Sequence, residues 1–107
     1  MKSYTDINQS KKLTAILPFG SADMYYPNEG TLPKFGVALS ISKNIPCWSL
    51  AALISVLPSA TLDSSDDHHY RVHCNERFTD WYDNPIDCCV AMIDRLHEQM
   101  IYDFNNK

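Results

Sequence analysis

The chain has 107 residues, 45% of them apolar and 21% charged, with only three glycines and six prolines. That length suits a single domain with one core, and that balance excludes disordered and collagen-like chains. Thirteen acids against nine basic residues leave a net charge of -4, which disfavours a phosphate-binding surface, because such surfaces gather lysines and arginines together.

Residues 1–12 contain no apolar stretch of the kind that opens a secretory leader, so a cytoplasmic location is expected. In that setting Cys47, Cys74, Cys88 and Cys89 are expected to be reduced thiols rather than a disulfide framework. Thr5 suits the N-cap of a first helix, with Asp6 near the positive end of its dipole. That helix is expected from Asp6 to Leu17, where Pro18 stops it. Its apolar residues Ile7, Leu13, Ile16 and Leu17 crowd toward one end, which suits a surface helix anchored by its last turn.

Ser21 to Tyr26 reads as a short strand, and Pro27-Asn28-Glu29-Gly30 as turn chemistry. From Lys34 to Ile41 apolar residues alternate, placing Phe35, Val37, Leu39 and Ile41 on one face of a second strand. Ile45 to Pro58 is then nearly continuous in apolar character, broken only by Ser49 and Ser55. Read as a helix it is apolar all round, which predicts a buried central helix over Trp48–Leu57. At about thirteen residues the run falls well short of the roughly twenty that cross a bilayer, so no membrane association is expected.

Ser59 to Leu62 is a weaker strand, followed by the polar loop Ser64-Ser65-Asp66-Asp67. Alternation resumes from His69 to Phe78, with Tyr70, Val72 and Cys74 inward and His69, Arg71, His73 and Asn75 outward. Glu76 breaks the pattern, which marks a bulge or a strand end. Asn84-Pro85 opens the last helix: asparagine is a strong N-cap, and proline at the next position already has the helical φ. Ile86, Cys89, Val90, Ile93, Leu96, His97, Met100 and Ile101 trace one face of it, out to about Tyr102. The predicted fold is a single α+β domain over residues 1–107: helix, two strands, buried helix, two strands, helix. Its strands form one antiparallel sheet of about four.

No motif in the chain specifies a chemistry. Asp67-His68-His69 shares three letters with a signature of metal-dependent phosphoesterases, but a polar loop precedes it rather than an apolar strand. His68, His69, His73 and Cys74 are metal-ligand types, yet His69 and His73 stand about 13 Å apart on a strand. No metal or other cofactor is therefore expected. Cys88 lies near a helix start, where a thiol can be acidified. Used with a histidine of the 68–73 segment, it supplies the alternative of a small cysteine- or histidine-dependent enzyme. The bland reading, Cys88 and Cys89 as small buried hydrophobes, is preferred, so no catalytic residue is assigned. His97 suits the edge of the core, and Asp80, Asp83 and Asp87 suit loop and first-turn positions. Tyr25, Tyr26, Trp81 and Tyr82 sit at strand ends and have the composition of a contact patch. The competing use is core closure by Tyr26 and Trp81.

Three stretches, Ser21 to Tyr26, Ile45 to Pro58, and Tyr82 to Asp87 leading into Leu96-His97-Glu98, together resemble a family of small uncharacterised proteins carried by bacterial phages and mobile elements. The resemblance brings no activity, cofactor or catalytic residue with it. It implies an intracellular accessory protein of a mobile genome. The expected function is a non-catalytic module that contacts a protein partner or a second copy of the chain. A nucleic-acid-binding regulator stands third, because of the acidic balance.

Overall fold

In the structure, a computed structural model describing residues 2–36 and 44–105, the first helix is set by a capping box. The Asp6 carboxylate accepts the Gln9 N–H at 2.8 Å while the Gln9 side chain accepts the Asp6 N–H at 3.1 Å. Helix α1 therefore spans Ile7–Thr14, and Asp6 rather than Thr5 is its N-cap. Thr5 is fully buried, and its hydroxyl pairs with Ser10 Oγ at 2.7 Å. The helix ends before Ile16 and Leu17, which fold into the core as a turn. A 3₁₀ turn, Phe19–Ser21, follows Pro18.

Strand β1 is Met24–Tyr26 and β2 is Lys34–Phe35. The rest of the strand expected over 34–41, with Val37, Leu39 and Ile41, lies outside the described residues. Phe35, expected on the inward face, is 81% exposed. Ile45–Cys47 forms strand β3, which pairs antiparallel with β1 through Met24–Cys47, Tyr25–Pro46 and Tyr26–Ile45. The first sheet has the order β2-β1-β3, and as an edge strand β3 tolerates Pro46, which has no N–H to give.

The expected central helix is thus divided. Its first residues are a strand, and helix α2 is only Leu50–Val56, capped by the Ser49 hydroxyl on the Ala52 N–H at 3.3 Å. Ala52 and Leu53 are buried, but Ala51 and Ser55 are exposed, so α2 is covered on one side and not all round. Trp48, just before it, is fully buried and donates its indole N–H to Ser21 Oγ at 3.0 Å.

The second sheet holds β4 (Ala60–Ser64), β5 (Tyr70–Cys74) and β6 (Arg77–Phe78), antiparallel in that order. Val72 and Cys74 are buried as the alternation predicts. The break at Glu76 is a tight reversal: Asn75 takes φ 58° and the chain returns with His73 facing Phe78. Asparagine visits this left-handed region more readily than most residues.

Helix α3 is Pro85–Glu98, with the Asn84 side chain accepting the Asp87 N–H at 2.9 Å and Pro85 in the first turn. Ile86, Met92, Ile93 and Leu96 are buried to 1% exposure or less. The helix stops short of the expected Tyr102. Met100 adopts φ 55°, and the N–H groups of Met100 and Ile101 turn back to the carbonyls of His97 and Leu96 at 3.1 and 2.9 Å. This is the Schellman pattern, which satisfies carbonyls the helix leaves open. His97 and Met100, expected on the apolar stripe, are exposed. The tail returns instead: Phe104 is buried, and Asn105 donates to the Ile16 carbonyl at 2.8 Å.

The fold is α+β, as expected, but among the described residues six strands make two three-stranded sheets rather than one of four. The main core joins α1, α2, β5 and α3 through Leu13, Trp48, Leu53, Val72 and Ile93. A smaller cluster of Met24, Tyr26 and Cys47 lies under the first sheet with Tyr4 and Ile7. No helix is long and apolar enough to cross a membrane among the described residues.

Candidate interaction surface

Alternation along β5 sends Arg71 and His73 to the face opposite Val72 and Cys74. The pairing of β4 with β5 sets Asp63 opposite Arg71, and that of β5 with β6 sets Phe78 opposite His73. Residues from three strands therefore meet on the outer face of the second sheet. The Phe78 ring stacks on His73 with centroids 4.7 Å apart and planes 25° apart. The Arg71 guanidinium carbon lies 4.7 Å from the Phe78 ring centre and 4.6 Å from that of Trp81. Each such cation–ring contact contributes about 0.5–1 kcal/mol at an exposed site.

Asp63 ties the set together. Its Oδ2 accepts from Arg71 Nε at 3.3 Å and lies 3.6 Å from His73 Nε2. His73 Nδ1 is buried without a hydrogen-bond partner among the described residues. Arg95 of α3 donates to the Phe78 carbonyl at 2.7 Å, fixing β6 from its far side. Phe78 and Trp81 nonetheless remain 43% and 45% exposed. Beside Trp81, a depression is lined by Ser65, Asp67 and His69.

The four aromatic residues singled out from the sequence separate. Tyr26 is buried and donates its hydroxyl to the Thr5 carbonyl at 2.7 Å, so it helps close the core. Burial, above all, pushes its phenol well above the ordinary value. Tyr25 is half-buried in β1, and Tyr82 is half-buried against the main core, exchanging two 2.7 Å backbone bonds with Tyr70. Trp81 is exposed. The Tyr25-Tyr26 and Trp81-Tyr82 segments belong to different regions of the fold, and no hydrogen bond or ring contact joins them among the described residues. Arg71, absent from that aromatic set, is the residue that lies against Trp81, and the same guanidinium lies against Phe78. The outward alternation of β5 was the available signal for Arg71; nothing local marked Phe78.

The enzyme-type clusters disperse as well. His73 and Cys74 point to opposite faces of β5, while Asp67 and His68 are exposed in the loop before it. No group of three or more His, Cys, Asp or Glu side chains is placed to hold a metal ion among the described residues. Cys88 and Cys89 are both fully buried. The interaction between the two neighbouring thiols lowers Cys88 and, with burial, raises Cys89. Cys88 Sγ also lies 3.1 Å from the Pro85 carbonyl, and among the described residues no histidine hydrogen-bonds either sulfur. A thiol enclosed in this way has no approach for a substrate.

A cleft of about 500 Å³ lies between α1 and α3, and its charges answer one another. Lys2 Nζ sits 2.9 Å from both Asp6 and Asp87, Gln9 and Asn84 donate to Asp87 at 2.8 and 2.9 Å, and Lys12 pairs with Asp94 at 2.7 Å. Burial opposes ionisation of Lys2, Asp6 and Asp87, yet their hydrogen bonds and mutual attraction win. Lys2 is raised and both carboxyls are lowered. The cleft is a polar clasp holding the start of the chain to α3. Comparison with protein-family models, with curated proteins and with solved structures returns no match.

Proposed function

We propose that this chain is a non-catalytic, cytoplasmic protein-binding module whose contact surface is the outer face of β4-β5-β6, centred on Phe78, Arg71 and Trp81. The observation that carries this reading is the pair of exposed rings held against one guanidinium. Tryptophan and arginine are the residues most enriched at the energetic centres of interfaces, and ordering them beforehand reduces the entropy lost on association. The enclosure of Cys88 weighs against the cysteine-enzyme alternative. The mobile-genome context rests on the sequence resemblance and makes the partner a protein of the host or of the element itself.

The test replaces Trp81 with a photo-crosslinking residue in cells of the native host. A discrete adduct is expected, lost when Phe78→Ala is added and kept when Tyr25→Ala is added. An adduct with a second copy of the chain identifies self-association as the contact. No adduct, or one indifferent to Phe78→Ala, refutes this surface.

A further inference from the structure

We infer that Arg71 is a preset fork for a carboxylate of the partner: an aspartate or glutamate side chain flanked by apolar residues in an extended segment. This rests on the binding-module reading above and names the chemistry that its surface recognises. Arginine carries five N–H donors in a planar fork. Here Nε is committed to Asp63, and the two terminal nitrogens have no hydrogen-bond partner among the described residues. The side chain is 34% exposed, so those donors can be reached. Free arginine must lose rotamer freedom to form two parallel bonds with a carboxylate. In this chain Phe78, Trp81 and Asp63 have already restricted it.

The surroundings choose between anions. Polyphosphate and nucleic-acid backbones require several cations together. Asp63 is paired with Arg71, Asp67 lines the depression beside Trp81, and Asp83 lies by His69, on a chain of net charge -4. One carboxylate matches one fork, whereas a run of phosphates is repelled by these acids. The exposed Phe78 and Trp81 rings on the same face then receive the apolar neighbours of that carboxylate. Arg71 acts through its terminal nitrogens, and the rings supply buried area.

The probe is a displayed library of random heptapeptides selected on the intact protein. Convergence on Asp or Glu at one position, with apolar residues beside it, is expected. A resynthesised peptide should bind about tenfold or more tightly than its Asn or Gln counterpart, the ratio for a charge-assisted hydrogen bond. Arg71→Gln should lose the same factor. Arg71→Lys, which keeps the charge without the planar fork, should lose most of it, with folding of both variants confirmed by thermal melting. The peptide pair tests the fork on the parent itself, independently of either variant's stability. Convergence on purely apolar peptides that are lost with Trp81→Ala overturns the carboxylate assignment but leaves the binding surface standing. No convergence overturns both. Tighter binding of a single-stranded thymidine oligonucleotide than of any selected peptide overturns the carboxylate in favour of a phosphate.

Discussion

Thr5 and Trp48 hold each other by two reciprocal bonds: the Thr5 N–H donates to the Trp48 carbonyl at 3.0 Å, and the Trp48 N–H donates to the Thr5 hydroxyl at 3.1 Å. The same threonine takes the Tyr26 hydroxyl on its carbonyl and pairs with Ser10. One buried residue thus ties the chain's beginning to the first sheet and to the entry of α2. Thr5→Val preserves shape but leaves the Trp48 N–H and the Ser10 hydroxyl without partners. It should lower stability by about 1–3 kcal/mol, read from urea denaturation, while Thr5→Ser should lose less. A valine variant within the error of the parent would show that water replaces the bonds.

Met100 takes φ 55° at the end of α3 while its side chain is 91% exposed. The left-handed conformation costs a residue with a Cβ roughly 1–2 kcal/mol, and glycine avoids that strain. Met100→Gly therefore loses no packing and should raise stability by about 0.5–1 kcal/mol, after allowing for the freer unfolded chain. A lower melting temperature in this variant contradicts the helix end described here.

The clasp at Lys2 makes a signed prediction with pH. Asp6 and Asp87 are lowered from 3.8, so their contribution is complete above that pH and fades as pH falls through their folded values. Lys2 is raised from 10.5, so its contribution is complete below that pH and fades as pH rises through its folded value. The stability difference between parent and Lys2→Met should thus be level across neutral pH and shrink at both extremes. A difference that persists unchanged at pH 2 and pH 12 would mean that Lys2 acts by packing and not by charge.

Cys47, Cys74, Cys88 and Cys89 are all 2% exposed or less. Burial raises Cys47 and Cys74, which further suppresses the reactive thiolate. Labelling by a thiol reagent at neutral pH should be slow at all four and should accelerate together with urea as the core opens. Rapid stoichiometric labelling of Cys88 in the native state would restore the nucleophile reading.

How much of this was legible beforehand depends on the range of the forces involved. Asn84-Pro85 and the 3.6-residue spacing after it announced α3, because capping and amphipathic period are written within one or two turns. The alternation from Tyr70 to Cys74 likewise announced β5 and its outward Arg71. Asp6 was the better cap than Thr5 for a reason also present locally, the reciprocal Gln9, but the burial of Thr5 depended on Trp48, far along the chain.

Ile45–Cys47 shows where local reading ends. A continuous apolar run has no period to separate strand from helix, and it became β3 because β1 offered it a ladder. The break at Glu76 was legible, but that Phe78 comes to face outward opposite His73 depends on the chain reversing at Asn75. Trp81 could be suspected of a surface role from its type and position. Its grouping with Arg71, Phe78 and Asp63 required the register of three strands. Side-chain chemistry, charge and local periodicity belong to the sequence by itself; which strands pair, which face a ring occupies and which residues become neighbours are decided by tertiary contacts, since each depends on surface buried between segments far apart in the chain.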